Sequence, residues 1–93
     1  MGKYLIELSD KAIADLQKFK KSGNKVALAK ITRIFEDLEN NPFVGVGQPE
    51  QLKHRLHGFW SRRINQKDRL IYRVFEDKVI VEIVSVMGHY SDK

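Results

Sequence analysis

No cysteine occurs anywhere in the 93 residues. That absence excludes a disulfide framework, a thiolate zinc site and a cysteine nucleophile, and it fits a reducing compartment. The only prolines are Pro42 and Pro49, close together, so no stretch has the composition of a proline-rich linker. Long apolar runs are missing too. The most apolar stretch, Val79 to Met87, is broken by Glu82 and Ser85 and falls far short of the ~20 residues a membrane span needs. Met1 to Glu7 has no apolar core of the kind a secretory signal carries, and Gly2 lacks the downstream Ser/Thr of a myristoylation site. A soluble, cytoplasmic protein is expected. With 42% apolar and 31% charged residues, the chain is neither disordered nor fibrous, and its length suits one domain over residues 1–93 with a single modest core.

The charge is present in excess and unevenly placed. The formal net charge is +5, yet between Lys53 and Arg73 seven basic residues stand against one acid, Asp68. The rest of the chain is close to neutral, so the whole excess lives in this one block. Five of the seven are arginines, whose planar forks match phosphate oxygens better than a lysine ammonium does. Such a block attracts polyanions, and nucleic acid is the expected partner class.

Tyr4–Leu8 reads as a short strand. Ser9 is a helix N-cap, and Ala12, Ile13, Leu16 and Phe19 form an apolar stripe at helical spacing that ends at Ser22-Gly23. Asn24 caps a second helix, with Ala27, Leu28, Ile31, Ile34, Phe35 and Leu38 as its stripe and Asn41-Pro42 as its stop. Pro42 to Pro49 is loop, Glu50 to Leu56 is a loop leading into a short strand or turn, and Gly58 to Ile64 is a strand. Further strands follow at 69–75 and 78–87, separated by turns at Asn65–Asp68 and Glu76-Asp77. The reading is α+β: a strand and a two-helix hairpin packed on an antiparallel sheet, each supplying the apolar face the other must cover.

Three features contribute nothing to that core. Glu50 is the carboxylate that leads into the basic block, Arg69 opens a strand just after a turn, and His89-Tyr90 lies beyond the last strand. Each alone is ordinary surface chemistry. Together they are the parts needed to cleave RNA: a base for the ribose 2′-OH, an imidazole to protonate the departing 5′-oxygen, and a fixed cation for charge growing on phosphorus. Trp60 and Tyr90 offer rings on which an unstacked base can rest. A divalent site at His54 and His57 is opposed by Lys53 and Arg55 beside it. Gly45-Val46-Gly47 is no phosphate loop, and no serine sits in a nucleophile elbow. No cofactor or metal is implied.

The strings Asn41-Pro42-Phe43, Pro49-Glu50, Leu52-Lys53-His54, Gly58-Phe59-Trp60-Ser61-Arg62-Arg63-Ile64, Arg69-Leu70 and His89-Tyr90 resemble the YoeB (Txe/YoeB) toxins of bacterial toxin–antitoxin systems, within the RelE/ParE superfamily. The resemblance implies a RelE/YoeB-like microbial RNase fold and a ribosome-dependent endoribonuclease that cuts mRNA in the ribosomal A site and so inhibits translation. It implies Glu50 as general base, His89 as general acid, Arg69 as the cation at the transition state and Tyr90 as the residue completing the site. Lys53 and Arg63 would hold phosphate and RNA by the same resemblance, and from the residues themselves Arg62 of the basic block and the Trp60 ring are expected to bind RNA beside them. The resemblance also implies a YefM-like antitoxin whose C-terminal segment covers the cleft, promoter DNA bound only through that antitoxin, and homodimers. The run Ser91-Asp92-Lys93 past Tyr90 departs from a chain ending in His-Tyr. A toxin of the same fold acting by binding alone, as in the gyrase-inhibiting ParE branch, would need no acid–base pair. An RNA-binding module without catalysis would likewise be indifferent to Glu50 and His89. Whether Arg63 and Arg69 share a face depends on the register of the intervening turn.

Overall fold

Ser9 starts the helical part as its chemistry suggests. Its Oγ accepts from Ala12 N at 3.0 Å and donates to Val84 O at 2.7 Å, so one hydroxyl caps a helix and ties it to the sheet. In this computed structural model, which describes residues 3–86 and 88, strand β1 spans Leu5–Leu8 and helix α1 spans Asp10–Ser22. Gly23 ends α1 at φ 71°, a left-handed conformation that glycine adopts without a steric penalty. The Asn24 side chain caps α2, Lys25–Asn40, by accepting from Ala27 N. A loop then leads to β2, Glu50–Gln51, and a single 3₁₀ turn, His54–Leu56. Three strands follow: β3 over Trp60–Arg63, β4 over Arg69–Phe75 and β5 over Ile80–Ser85.

The expected strand at 78–87 is shorter because Val79 adopts φ 56°, which ends the turn and delays extended backbone until Ile80. The expected strand at 58–64 narrows to Trp60–Arg63, and the stretch expected as loop with a short strand or turn holds both the two-residue β2 and the 3₁₀ turn. The expected antiparallel sheet is present in β2 to β5, and β1, for which no pairing was expected, joins its edge in parallel to make the sheet mixed. Its order is β1-β5-β4-β3-β2, with β1 parallel to β5 and the other pairs antiparallel. Periodicity along β1 reports which residues turn inward, not which strand it pairs with, so this neighbour was invisible in the sequence.

Both helices lie on one face of the sheet. Ala12, Phe19, Ala27, Ile31, Ile34 and Leu38 pack there against Leu70, Tyr72, Val81, Ile83 and Val86. The stripe on α1 is rotated from the expected one: Ile13 is 43% exposed, whereas Asp15 is buried. The Asp15 carboxylate accepts from Val86 N at 3.0 Å and from Lys11 Nζ at 2.8 Å, which satisfies it inside the core. No helix among the described residues is long and apolar enough to cross a membrane.

Candidate active site

The loop that delivers Glu50 is built on a buried arginine. Arg62, fully buried in β3, donates to the carbonyls of Asn41, Pro42, Val44 and Val46 at 2.9–3.4 Å, and its Nε donates to Tyr72 Oη at 3.0 Å. Tyr72 Oη in turn donates to Pro42 O at 2.6 Å. Asp37 on α2 lies 3.7 Å from the same guanidinium and accepts from Val46 N at 2.6 Å. Burial pushes the Tyr72 phenol above its ordinary value, with the bonded and neighbouring Arg62 cation pulling the other way. The phenol therefore stays a donor. Where contact with RNA was expected of Arg62, the structure places its guanidinium inward, on four backbone carbonyls and one tyrosine with the Asp37 carboxylate beside it, so in this fold it holds a loop.

Gly47 takes the chain from this loop toward the sheet. It sits at φ 85° and its carbonyl accepts from Arg63 N at 2.6 Å. An added Cβ there would lie 2.9 Å from Arg63 O, so a side chain is excluded by both conformation and space. Gln48, Pro49 and Glu50 follow directly, and β2 pairs with β3 so that Glu50 faces Ser61.

Register then decides which side chains meet. Arg63 pairs with Arg69 across β3 and β4, so the two arginines do share a face. Strand alternation puts Ser61 and Glu50 on that same face, opposite the helices. A cavity of about 340 Å³ opens there, lined by Gln48, Pro49, Glu50, Arg63 and Arg69. Arg69 Nη1 lies 3.6 Å from Glu50 Oε1. The arginine side chain is 22% exposed and the carboxylate 65%, so the acid reaches into solvent while its cation is mostly sheltered. A proton acceptor thus stands beside two cations in an open hollow, which suits a phosphate and the hydroxyl next to it.

Trp60, expected to bind RNA, lies on the other face of the sheet from the hollow. It alternates with Ser61 and so points to the helix side, where it packs on the core. Its ring lies 5.2 Å from that of Phe43, and it borders a separate cavity of about 120 Å³. Lys53 is exposed just after β2, at the start of the 3₁₀ turn and outside the lining of the larger cavity. His89 and Tyr90 lie outside the described residues. Gly88, the residue bonded to His89, is held beside Arg69: Arg69 N donates to Gly88 O at 3.1 Å, and Gly88 N donates to Asp68 Oδ1 at 3.1 Å.

Asp68 is a feature the sequence reading assigned only to a turn. It is 5% exposed, and its other carboxylate oxygen accepts from Asn65 Nδ2 at 3.2 Å. Asp15 and Asp68 together anchor the backbone at Val86 and Gly88, where the chain leaves β5. A polar residue within the apolar stripe of α1 was the available signal for Asp15. For Asp68, turn composition masked its burial.

Residues 8–90 match the profile of the family described as YoeB-like toxin of bacterial type II toxin-antitoxin system. The chain belongs to this family. It is similar to Toxin YoeB of Escherichia coli O6:H1, with 47% identity over 58 residues, 62% of this chain and 69% of the relative. Among solved structures it resembles the YoeB dimer from Staphylococcus aureus, with TM-score 0.81 and 34% identity, covering 95% of this chain and 99% of that one. It also resembles a chain of the YoeB–YefM complex from Staphylococcus aureus, with TM-score 0.79 and 35% identity, covering 94% of this chain and 98% of that one. The α+β architecture of two helices on a five-stranded mixed sheet is thus that of the YoeB toxins.

Proposed function

We propose that this toxin is a ribosome-dependent endoribonuclease that cleaves mRNA in the ribosomal A site and thereby stops translation. The observation that carries the reading is the Glu50–Arg69 pair at 3.6 Å with Arg63 directly across the strands, all in one hollow. A phosphate entering there exchanges its oxygens for the carboxylate on Arg69, which leaves Glu50 available to take the proton from the ribose 2′-OH. The 2′-oxygen attacks phosphorus, the bond to the 5′-oxygen breaks, and that oxygen receives its proton from His89. The products are a 2′,3′-cyclic phosphate and a 5′-hydroxyl. Arg69 and Arg63 hold the charge that builds on the phosphoryl oxygens, Lys53 adds a cation at the edge, and Tyr90 completes the site beside His89. The chemistry is general acid–base, carried by these side chains without a cofactor.

The partners follow from the same reading. A YefM-like antitoxin covers the hollow and silences the toxin in the cytoplasm, where ribosomes and message are found. Promoter DNA is bound only through that antitoxin, and the toxin self-associates as a homodimer. The relatives solved as a YoeB dimer and as a YoeB–YefM complex support the homodimer and the antitoxin partner.

The test is cell-free translation with primer extension on the message, comparing wild type with Glu50→Ala and His89→Ala. Cuts at A-site codons are expected in wild type and absent in both variants, while ribosome binding persists. Intact message in the wild-type reaction, with DNA supercoiling inhibited instead, would overturn the reading in favour of a binding toxin.

A further inference from the structure

The sheet face that carries Glu50, Arg63 and Arg69 continues along β4 into a second cluster that the proposed reaction does not use. Alternation places Arg69, Ile71, Arg73 and Phe75 on this face, since Leu70, Tyr72 and Val74 turn to the helices. Phe59, the residue just before β3, reaches the same cluster. The Arg73 guanidinium lies 5.3 Å from the Phe59 ring centroid and 5.0 Å from that of Phe75, and Lys78 Nζ lies 5.8 Å from the Phe75 ring. Glu82, its cross-strand partner on β5, accepts from Arg73 Nε at 2.6 Å and tethers the guanidinium near the rings. Phe59, Arg73 and Phe75 are each partly exposed, with the Arg73 side chain 43% accessible.

We infer that Phe59, Arg73 and Phe75 form a stacking platform for unpaired RNA bases, a subsite some nucleotides away from the bond that is cut. The inference rests on the endoribonuclease reading for its ligand. Flat rings beside a guanidinium plane are the surfaces on which splayed-out bases stack, irrespective of sequence. The charge favours RNA over an acidic peptide alone, because the platform lies in line with the two arginines of the hollow. Four residues of strand put Arg73 about 13 Å from Arg69, a distance that a few nucleotides of extended RNA span. A strand whose phosphate sits at Arg69 and Arg63 therefore lays its neighbouring bases on the rings without bending.

The experiment is fluorescence anisotropy of the full chain with fully 2′-O-methylated RNA probes of three and eight nucleotides, which lack the 2′-hydroxyl needed for cleavage. Wild type is expected to gain at least about tenfold in affinity from the shorter to the longer probe. Arg73→Ala and Phe75→Leu are expected to lose most of that gain while binding the short probe as wild type does. Phe75→Leu keeps apolar volume, so a matching urea midpoint separates lost stacking from lost packing. An equal gain with length in wild type and both variants overturns the platform, as does equal weakening on both probes. Glu50→Ala in the translation assay reports separately on the reaction. If wild type leaves message intact yet shows the variant-sensitive gain with length, the endoribonuclease reading fails and the platform stands.

Discussion

Arg62 shows how far one side chain's role depends on its surroundings. A guanidinium in a basic block reads as a phosphate ligand, yet here it is buried beneath four loop carbonyls and a phenol. Arg62→Ala leaves those acceptors without donors and is expected to lower stability by about 3 kcal/mol or more, seen as a lower urea midpoint. Tyr72 adds a pH signature. Its folded value lies above the ordinary 10.0, so below pH ~10 both folded and unfolded chains keep the proton. Above that, the unfolded chain loses it first, and stability falls as pH rises. Tyr72→Phe should cost about 1–2 kcal/mol at neutral pH, because Arg62 Nε and Pro42 O lose their partner. It should also flatten the alkaline decline relative to wild type in urea titrations on either side of pH ~10. At the hollow, Arg69→Lys keeps a charge but loses the planar fork, and primer extension should show cleavage slowed about tenfold or more.

At the scale of elements, the loop between α2 and β2 is the part that aims the site. Gly47 supports a backbone that no other residue adopts cheaply, at φ 85° with Arg63 O in the space of a side chain. Gly47→Ala is expected to shift the Gln48–Glu50 segment. It should reduce RNA cleavage more than it reduces stability, whose loss should be about 1–3 kcal/mol; cleavage rates and urea midpoints on the same preparation check both. The α1 cap gives a contrasting case. Ser9→Ala removes a bond to Ala12 N and one to Val84 O, neither of which lines the hollow, so about 1–2 kcal/mol of stability should go while cleavage per folded molecule is unchanged.

For the whole molecule, charge and topology act together. The basic block is contiguous in sequence, but the sheet sorts it: Arg62 goes inward, while Arg63, Arg69 and Arg73 stand on the face away from the helices. An RNA strand held by Arg63, Arg69 and Lys53 should show a logarithmic salt slope of about −2, measured as affinity against added salt. A slope near zero would mean that those cations do not hold phosphates.

Much of this was legible without coordinates, because local chemistry is written locally. Ser9, Gly23 and Asn24 mark the helix ends, apolar spacing marks the inward faces, and β4 begins and ends where its residues suggested. The chemistry-bearing types, Glu50 and Arg69, also stood out. Three things depended on tertiary structure: the parallel pairing of β1 with β5, the parity that places Arg63 beside Arg69 and turns Trp60 away, and the burial of Arg62, Asp15 and Asp68. Sequence specifies what each residue prefers among its near neighbours. Strand register and burial belong to pairs of residues brought together over long loops, and a polar side chain goes inside only where the folded chain supplies its partners.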